Sequence, residues 1–288
     1  MARSSIKKQI DELDSVSKED SKHTHLLDHH RTILEIINID SESLTKVTIK
    51  NLTDADIESF LEKATTFKKP IISFMEPNMF DYTTILEISR EIIRYLINIG
   101  PEKKGLELLS KALDRDDVEV REAVKAIFNE DVEWFNHLGG KLNIDPSLLL
   151  YIFDSPLRPF FEELARMVED EIIETWWEPF CPVCGRRSQV ARMRSRKRYM
   201  TCTYCGAQYL VDLFLCPNCG NNDPTTQGFV SFEDFPEYEL SYCEKCKHYV
   251  KVIKEDEMKR KIPQGLEDIL TRELDAFAKE HELGLVRG

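Results

Sequence analysis

Eight cysteines constrain this chain more than any other feature. None occurs before residue 181, and all eight fall between Cys181 and Cys246. They form four Cys-x-x-Cys pairs: Cys181/Cys184, Cys202/Cys205, Cys216/Cys219 and Cys243/Cys246. In chain order the pairs read Cys-x2-Cys-x17-Cys-x2-Cys and Cys-x2-Cys-x23-Cys-x2-Cys. The first spacing is that of a four-cysteine tetrahedral metal site. Two thiolates two residues apart on a tight turn grip one ion, and a β-hairpin brings a second turn opposite the first. Gly185, Gly206 and Gly220 follow three of the pairs, where the knuckle turns left-handed and a side chain is strained. Lys247 stands at the fourth. An interleaved combination of the four knuckles is the alternative arrangement.

A disulfide framework suits small secreted chains, and the start Met1-Ala2-Arg3-Ser4-Ser5 lacks the apolar core of an export signal. Redox dithiols call for a βαβ pattern, which is missing around these pairs. Two metal sites also answer a physical need. About seventy residues with few large apolar side chains cannot build a sufficient core. A structural metal contributes on the order of 10–16 kcal/mol of apparent binding free energy to folding. Four thiolates serve zinc and iron alike, so the ligands leave the metal open. A site closed by four thiolates holds structure and does not activate water, which argues against a hydrolytic metalloenzyme.

The 288 residues predict about two domains. With 42% hydrophobic residues a packed core is expected, and only 11 glycines, against about 20 at average usage, favour helix. Residues 1–178 read as one all-α domain of six or seven helices. The polar stretch 1–22 reads as a frayed or weakly helical start. Helical periodicity then runs through Leu26–Ile37, and Thr53-Asp54 caps a helix to Phe67. Asp81 caps a long helix ended by Gly100, with Pro101 in the first turn of the next. Asp116-Asp117 begin a helix through Phe128 and on toward His137, broken at Gly139-Gly140. Asp145-Pro146 and Ser155-Pro156 open two more.

Past Glu178-Pro179 the pattern changes to short strands: 189–193, 198–201, 208–214, 229–232, 239–242 and 249–253. Residues 179–212 form a first four-cysteine knuckle module and 213–254 a second. A linker and helix, from Pro263 to about Glu282, fill 255–288. The fold class is therefore α+β and multidomain, a helical domain followed by two rubredoxin- or zinc-ribbon-like modules and a C-terminal helix.

Charge is unevenly placed. The net charge of -13 disfavours a protein that coats nucleic acid with its whole surface. Yet residues 181–211 hold seven bases and no acid: Arg186, Arg187, Arg192, Arg194, Arg196, Lys197 and Arg198. Residues 212–246 hold seven acids and one base, Lys245. In one reading the modules attract each other and the bases offset thiolate charge. In the other, the Arg186–Arg198 hairpin faces an acidic partner or nucleic acid. The longest apolar run, Leu148–Phe153, is far short of a membrane span, and a cytoplasmic protein is expected. His23, His25, His29 and His30 read as a polar helix face, and Trp176, Trp177 and Phe180 as a plug before the first knuckle. Phosphate loops, dinucleotide fingerprints and nucleophile elbows are absent, so no catalytic residue is assigned.

Residues 148–185 run from L-L-L-Y-I-F-D-S-P-L-R-P-F-F-E-E-L-A-R to W-W-E-P-F-C-P-V-C-G. Arg198-Tyr199-Met200-Thr201-Cys202, Cys216-Pro217-Asn218-Cys219-Gly220 and Tyr242-Cys243-Glu244-Lys245-Cys246 follow, and the chain closes with Gly284-Leu285-Val286-Arg287. Over about 145–288 this resembles the formate dehydrogenase accessory protein family, FdhE-like. Residues 1–144 match only in length and helical character. The resemblance implies a cytoplasmic, non-catalytic maturation factor. Its client would be the catalytic subunit of a molybdenum- or tungsten-containing formate dehydrogenase. It also implies two metal ions, zinc or iron, on all eight cysteines. The family's arginine before the third knuckle is missing, since Leu213-Phe214-Leu215 precede Cys216. A zinc-ribbon nucleic-acid binder and a rubredoxin-like electron carrier are the other classes this sequence admits. A homodimer is compatible with all three.

Overall fold

The structure is a computed structural model and describes residues 6–19, 23–38, 52–100, 102–115, 118–168, 172, 174–258, 262–263 and 265–285. The expected roles of Pro101 and of Asp116-Asp117 lie outside these residues, as do Val286 and Arg287. Nine α-helices precede the strands among the described residues. They are α1 (Ile6–Glu19), α2 (Thr24–Ile37), α3 (Asp54–Phe67), α4 (Tyr82–Ile99) and α5 (Lys103–Asp114), then α6 (Val120–Phe128), α7 (Val132–Leu142), α8 (Pro146–Asp154) and α9 (Arg158–Met167). No described helix is long and apolar enough to cross a membrane.

Two compact units emerge. One comprises residues 30–54 and 75–160, the other 1–29, 55–74 and 161–288. They divide the chain differently from the composition boundaries at 178, 212 and 254.

In the first unit, local chemistry sets the helix starts. The Asp81 carboxylate accepts from the Thr83 and Thr84 amides, Asp131 from Trp134 and Asp145 from Ser147. The core is aromatic at its centre: Phe80 meets Phe160 edge-on at 4.7 Å and Phe128 at 5.3 Å between ring centroids. The single helix expected through Phe128 toward His137 is two helices, a correction. Glu130 takes φ 52° and the Asp131 amide turns back to the Ala126 carbonyl, so the chain breaks there. Gly139 and Gly140 lie inside α7. A Cβ on Gly139 would come within 2.6 Å of the Ile144 oxygen, so this glycine serves a close approach. Asn143, left-handed at φ 54°, ends the helix.

In the second unit, α1 is a full helix rather than a frayed start. Ile6, Leu13 and Val16 are buried, and their spacing was hidden by intervening charges. Among the described residues seven strands follow: β1 (Val190–Arg194), β2 (Lys197–Thr201), β3 (Gln208–Val211), β4 (Gln227–Ser231), β5 (Tyr238–Cys243), β6 (His248–Lys254) and β7 (Gly284–Leu285). The strand expected to reach Phe214 stops at Val211, because Asp212 accepts from the Phe214 amide in an Asx turn.

All seven strands share one sheet, in the order β3-β2-β1-β6-β5-β4, with β7 on β6. The two knuckle modules are joined by the parallel pairing of β1 with β6, Val190 opposite Lys251 and Met193 opposite Lys254. Beyond the reach of β1, β7 pairs with His248 and Tyr249. The C-terminal helix is in two pieces, α10 (Glu267–Leu270) and α11 (Arg272–Glu280), divided at Thr271. The Thr271 hydroxyl donates to the Glu267 carbonyl at 2.6 Å.

These helices cover one sheet face. Leu240 and Tyr249 pack with Leu274 and Ala278, and Val190 and Ile253 with Ile262. Two cations are buried in the same face. Arg192 pairs with Glu255 and with the fully buried Glu267, and also donates to the Ile262 carbonyl. Burial alone would lower the Arg192 pKa, but the two carboxylates outweigh it and raise it. Lys251, fully buried, bonds Asp268 and, at 3.1 Å, Asp275, which also accepts from the Tyr249 hydroxyl.

Removing Arg192 would strand the Glu267 charge. Arg192→Met is expected to cost about 3–5 kcal/mol in chemical denaturation. Adding Glu267→Leu should recover most of that loss. Two losses that simply add would show that the pair is not coupled.

Candidate metal centres

Each Cys-x-x-Cys pair lies on a knuckle whose backbone returns on itself. The amides of Gly185, Gly206, Gly220 and Lys247 donate to the carbonyls of Cys181, Cys202, Cys216 and Cys243 at 2.8 to 3.0 Å. All four residues have positive φ, 77°, 73°, 72° and 59°. The fourth knuckle therefore makes the same turn with a lysine where the others have glycine, in a region that strains an L side chain. The first knuckle is also anchored from outside, since the Ile71 and Ile72 amides donate to the Pro182 and Val183 carbonyls.

The sheet brings the knuckles together in sequential pairs. Cys181, Cys184, Cys202 and Cys205 form one set, and Cys216, Cys219, Cys243 and Cys246 the other. Within each set all four sulfurs lie within 4.8 Å of one another. Cys181 and Cys205 are 3.5 Å apart, as are Cys184 and Cys202. The other set has 3.6 Å for Cys216–Cys246 and 3.8 Å for Cys219–Cys243. A disulfide would need about 2.05 Å. A tetrahedral ion holding thiolates at about 2.3 Å spaces them by about 3.8 Å. The donor sets fit a thiolate-bound metal ion.

Electrostatics agree with that fit. In the first set burial pushes the Cys184 and Cys205 thiols well above their ordinary pKa, while hydrogen bonds from its neighbours hold Cys202 well below. Four thiolates crowded in a dry pocket cannot ionise together without a cation among them. In the second set burial works against ionisation of Cys243, yet the Cys246 and Lys245 amides and neighbouring thiols draw its pKa down to about 7. The Asn221 side-chain amide approaches the same sulfur at 3.7 Å.

The two sets differ in exposure. All four cysteines of the first are buried, whereas Cys219 is exposed and Cys246 half-buried.

The seven bases of the hairpin do not form one open face. Arg192 and Arg198 are buried, at 5% and 3% exposure. Arg194 is held by Glu255 and Gln208, and Lys197 by Glu174. Arg186 lies over the Tyr204 ring, 3.4 Å from its centroid, and Arg187 donates to the Pro217 carbonyl. Only Arg196 and Lys197 have exposed side chains. The acids that hold Arg192 and Arg194 come from beyond residue 246, so the opposed charge blocks do not explain their pairing.

Arg198 reaches the approach to Cys216 from another strand. From β2 its guanidinium donates to the Leu213 and Leu215 carbonyls at 3.1 and 2.9 Å. Burial pulls its pKa down to about 10, against the Cys216 sulfur, which favours the charged form. No spacing rule announced this contact. The register of β2 against β3 creates it.

Of the remaining candidates, Trp176 is buried and donates to the Phe180 carbonyl at 2.7 Å, while Trp177 is exposed. His23 faces Glu273 at 3.6 Å. Among the described residues the histidines join no group of three or more metal-ligating side chains.

No family model matches the chain. It is 26% identical over 262 residues to the protein FdhE homolog of Aquifex aeolicus (strain VF5), covering 89% of this chain and 82% of that one. Its fold is similar to that in the crystal structure of the FdhE protein from Pseudomonas aeruginosa. That comparison has a TM-score of 0.66 and 15% identity, and covers 100% of this chain and 95% of the other. The FdhE-like resemblance read from the residues is borne out.

The exposure difference predicts unequal metal release. Protein loaded with two zinc ions should give up one equivalent quickly to a colorimetric chelator and the second at least tenfold more slowly. Cys219→Ser should leave one slowly released equivalent. Two equal rates would mean that exposure does not govern release.

Proposed function

We propose that this chain is a non-catalytic maturation factor that binds the catalytic subunit of a molybdenum or tungsten formate dehydrogenase during assembly. The observation that carries the reading is similarity along nearly the whole chain to an FdhE homolog, joined to two four-cysteine sets. The eight cysteines would hold two metal ions, zinc or iron, as closed sites that supply folding free energy. With four protein ligands each, neither leaves a position for substrate.

A cytoplasmic location is part of the proposal, since assembly precedes any export of the client. So is client contact through the hairpin, now reduced to Arg196 and Lys197 as its accessible charges. The nucleic-acid reading loses support, because phosphate binding needs free cations and most of these already hold partners within the chain.

The test is co-expression of the full-length chain with the formate dehydrogenase catalytic subunit of the same organism. The expected result is a stable complex on size exclusion, formed with the cofactor-free subunit. Failure to form one with either cofactor-free or loaded subunit overturns the reading. An affinity for RNA or DNA that falls steeply with salt would establish the nucleic-acid alternative instead.

A further inference from the structure

We infer that the free edge of β4 is a docking strand for an extended, basic polypeptide segment. The proposal rests on the accessory reading only for which protein carries that segment.

β4 ends the sheet and pairs only with β5 among the described residues. The Glu244 amide donates to the Thr226 carbonyl at 2.9 Å, which makes 226/244 a hydrogen-bonded pair. In an antiparallel ladder such pairs alternate. Gly228 and Val230 therefore bond inward to Tyr242 and Leu240, and Phe229 and Ser231 turn their N–H and C=O groups outward. Among the described residues no backbone hydrogen bond from elsewhere reaches Phe229 or Ser231.

Edges of this kind are ordinarily guarded by lysine, proline, a bulge or a covering element. The sequence of β4, Gln-Gly-Phe-Val-Ser, has no charge and no proline. Its register with β5 is continuous from Gln227 to Ser231, so there is no bulge. Phe229 is 43% exposed, so the edge also offers an apolar side chain. The opposite edge, β3, differs: Tyr209, Leu210 and Val211 are all buried. Gly228 lets the Tyr242 ring lie across β4, where a Cβ would overlap the ring, and so stiffens the unguarded strand.

Charge selects the occupant. From residue 212 to 244 there are seven acids and no lysine or arginine. Glu233 and Asp234, in the turn after β4, are exposed, whereas Glu239, opposite Ser231, is already paired with Lys254 at 3.3 Å. A second copy of this chain would set these acids against themselves. A segment with apolar residues at alternate positions and lysine or arginine between them would pair with the outward backbone groups, pack on Phe229 and meet the acids.

The test uses the full-length protein reconstituted with zinc and two ten-residue peptides, one alternating valine and lysine, the other valine and glutamate. Fluorescence anisotropy should show at least tenfold tighter binding of the lysine peptide. Hydrogen exchange should show new protection of the Phe229 and Ser231 amides. Ser231→Pro removes one outward donor and spares the inward ladder. Phe229→Lys places a cation on the edge. Each should weaken binding at least tenfold, with metal content and circular dichroism unchanged. If Ser231→Pro fails to fold, Phe229→Lys and exchange on the unaltered protein decide. Equal affinity for the two peptides, or no protection at Phe229, overturns the proposal. So does a dimer that Phe229→Lys dissociates, since a second copy would then occupy the edge. Peptide pairing that persists while the formate dehydrogenase subunit fails to bind would sink the functional reading and leave the edge assignment standing.

Discussion

Four sulfurs held within 4.8 Å of one another demand a cation, and the strand half of this protein is arranged to meet that demand twice. The knuckles occupy strand ends and turns, so closing each set fixes which turn faces which. The helical cover on one face holds the sheet in register, and an ion at each cysteine set would add to it.

That cover is secured by charge inside the protein. Arg192 and Lys251 point from adjacent strands into the C-terminal segment, and each finds two carboxylates there. Buried ion pairs are costly to assemble, and their value lies more in specifying one arrangement than in raw stability. Both cations fix points at which the C-terminal segment meets the sheet. Arg198 does comparable work on the other face, tying the approach to Cys216 back to β2.

Local signals were legible in the sequence. The knuckle spacing led to the sequential pairing of the cysteines, and Asp81 and Asp145 marked helix starts because capping is settled within three residues. Five of the six expected strands lie within two residues of their observed bounds, since alternation and turn residues are local too. Long-range facts were not legible. The β1–β6 pairing joins residues some sixty apart, and neither strand announces its partner. A run of seven bases looks like a solvated face until the register shows Arg192 and Arg198 turned inward. Gly139 reads as a helix breaker, though its role is decided by the Ile144 oxygen across a turn.

The parallel seam between β1 and β6 has one more consequence. β1 leads into the hairpin that ends at Cys202, and β6 leaves the turn that holds Cys246. The seam is formed only when both hairpins are in place. Whatever closes one cysteine set therefore favours the strand arrangement that closes the other. Metal bound at one set would therefore be linked to metal at the other, equally in both directions. On this arrangement the sheet would be complete only with both ends filled.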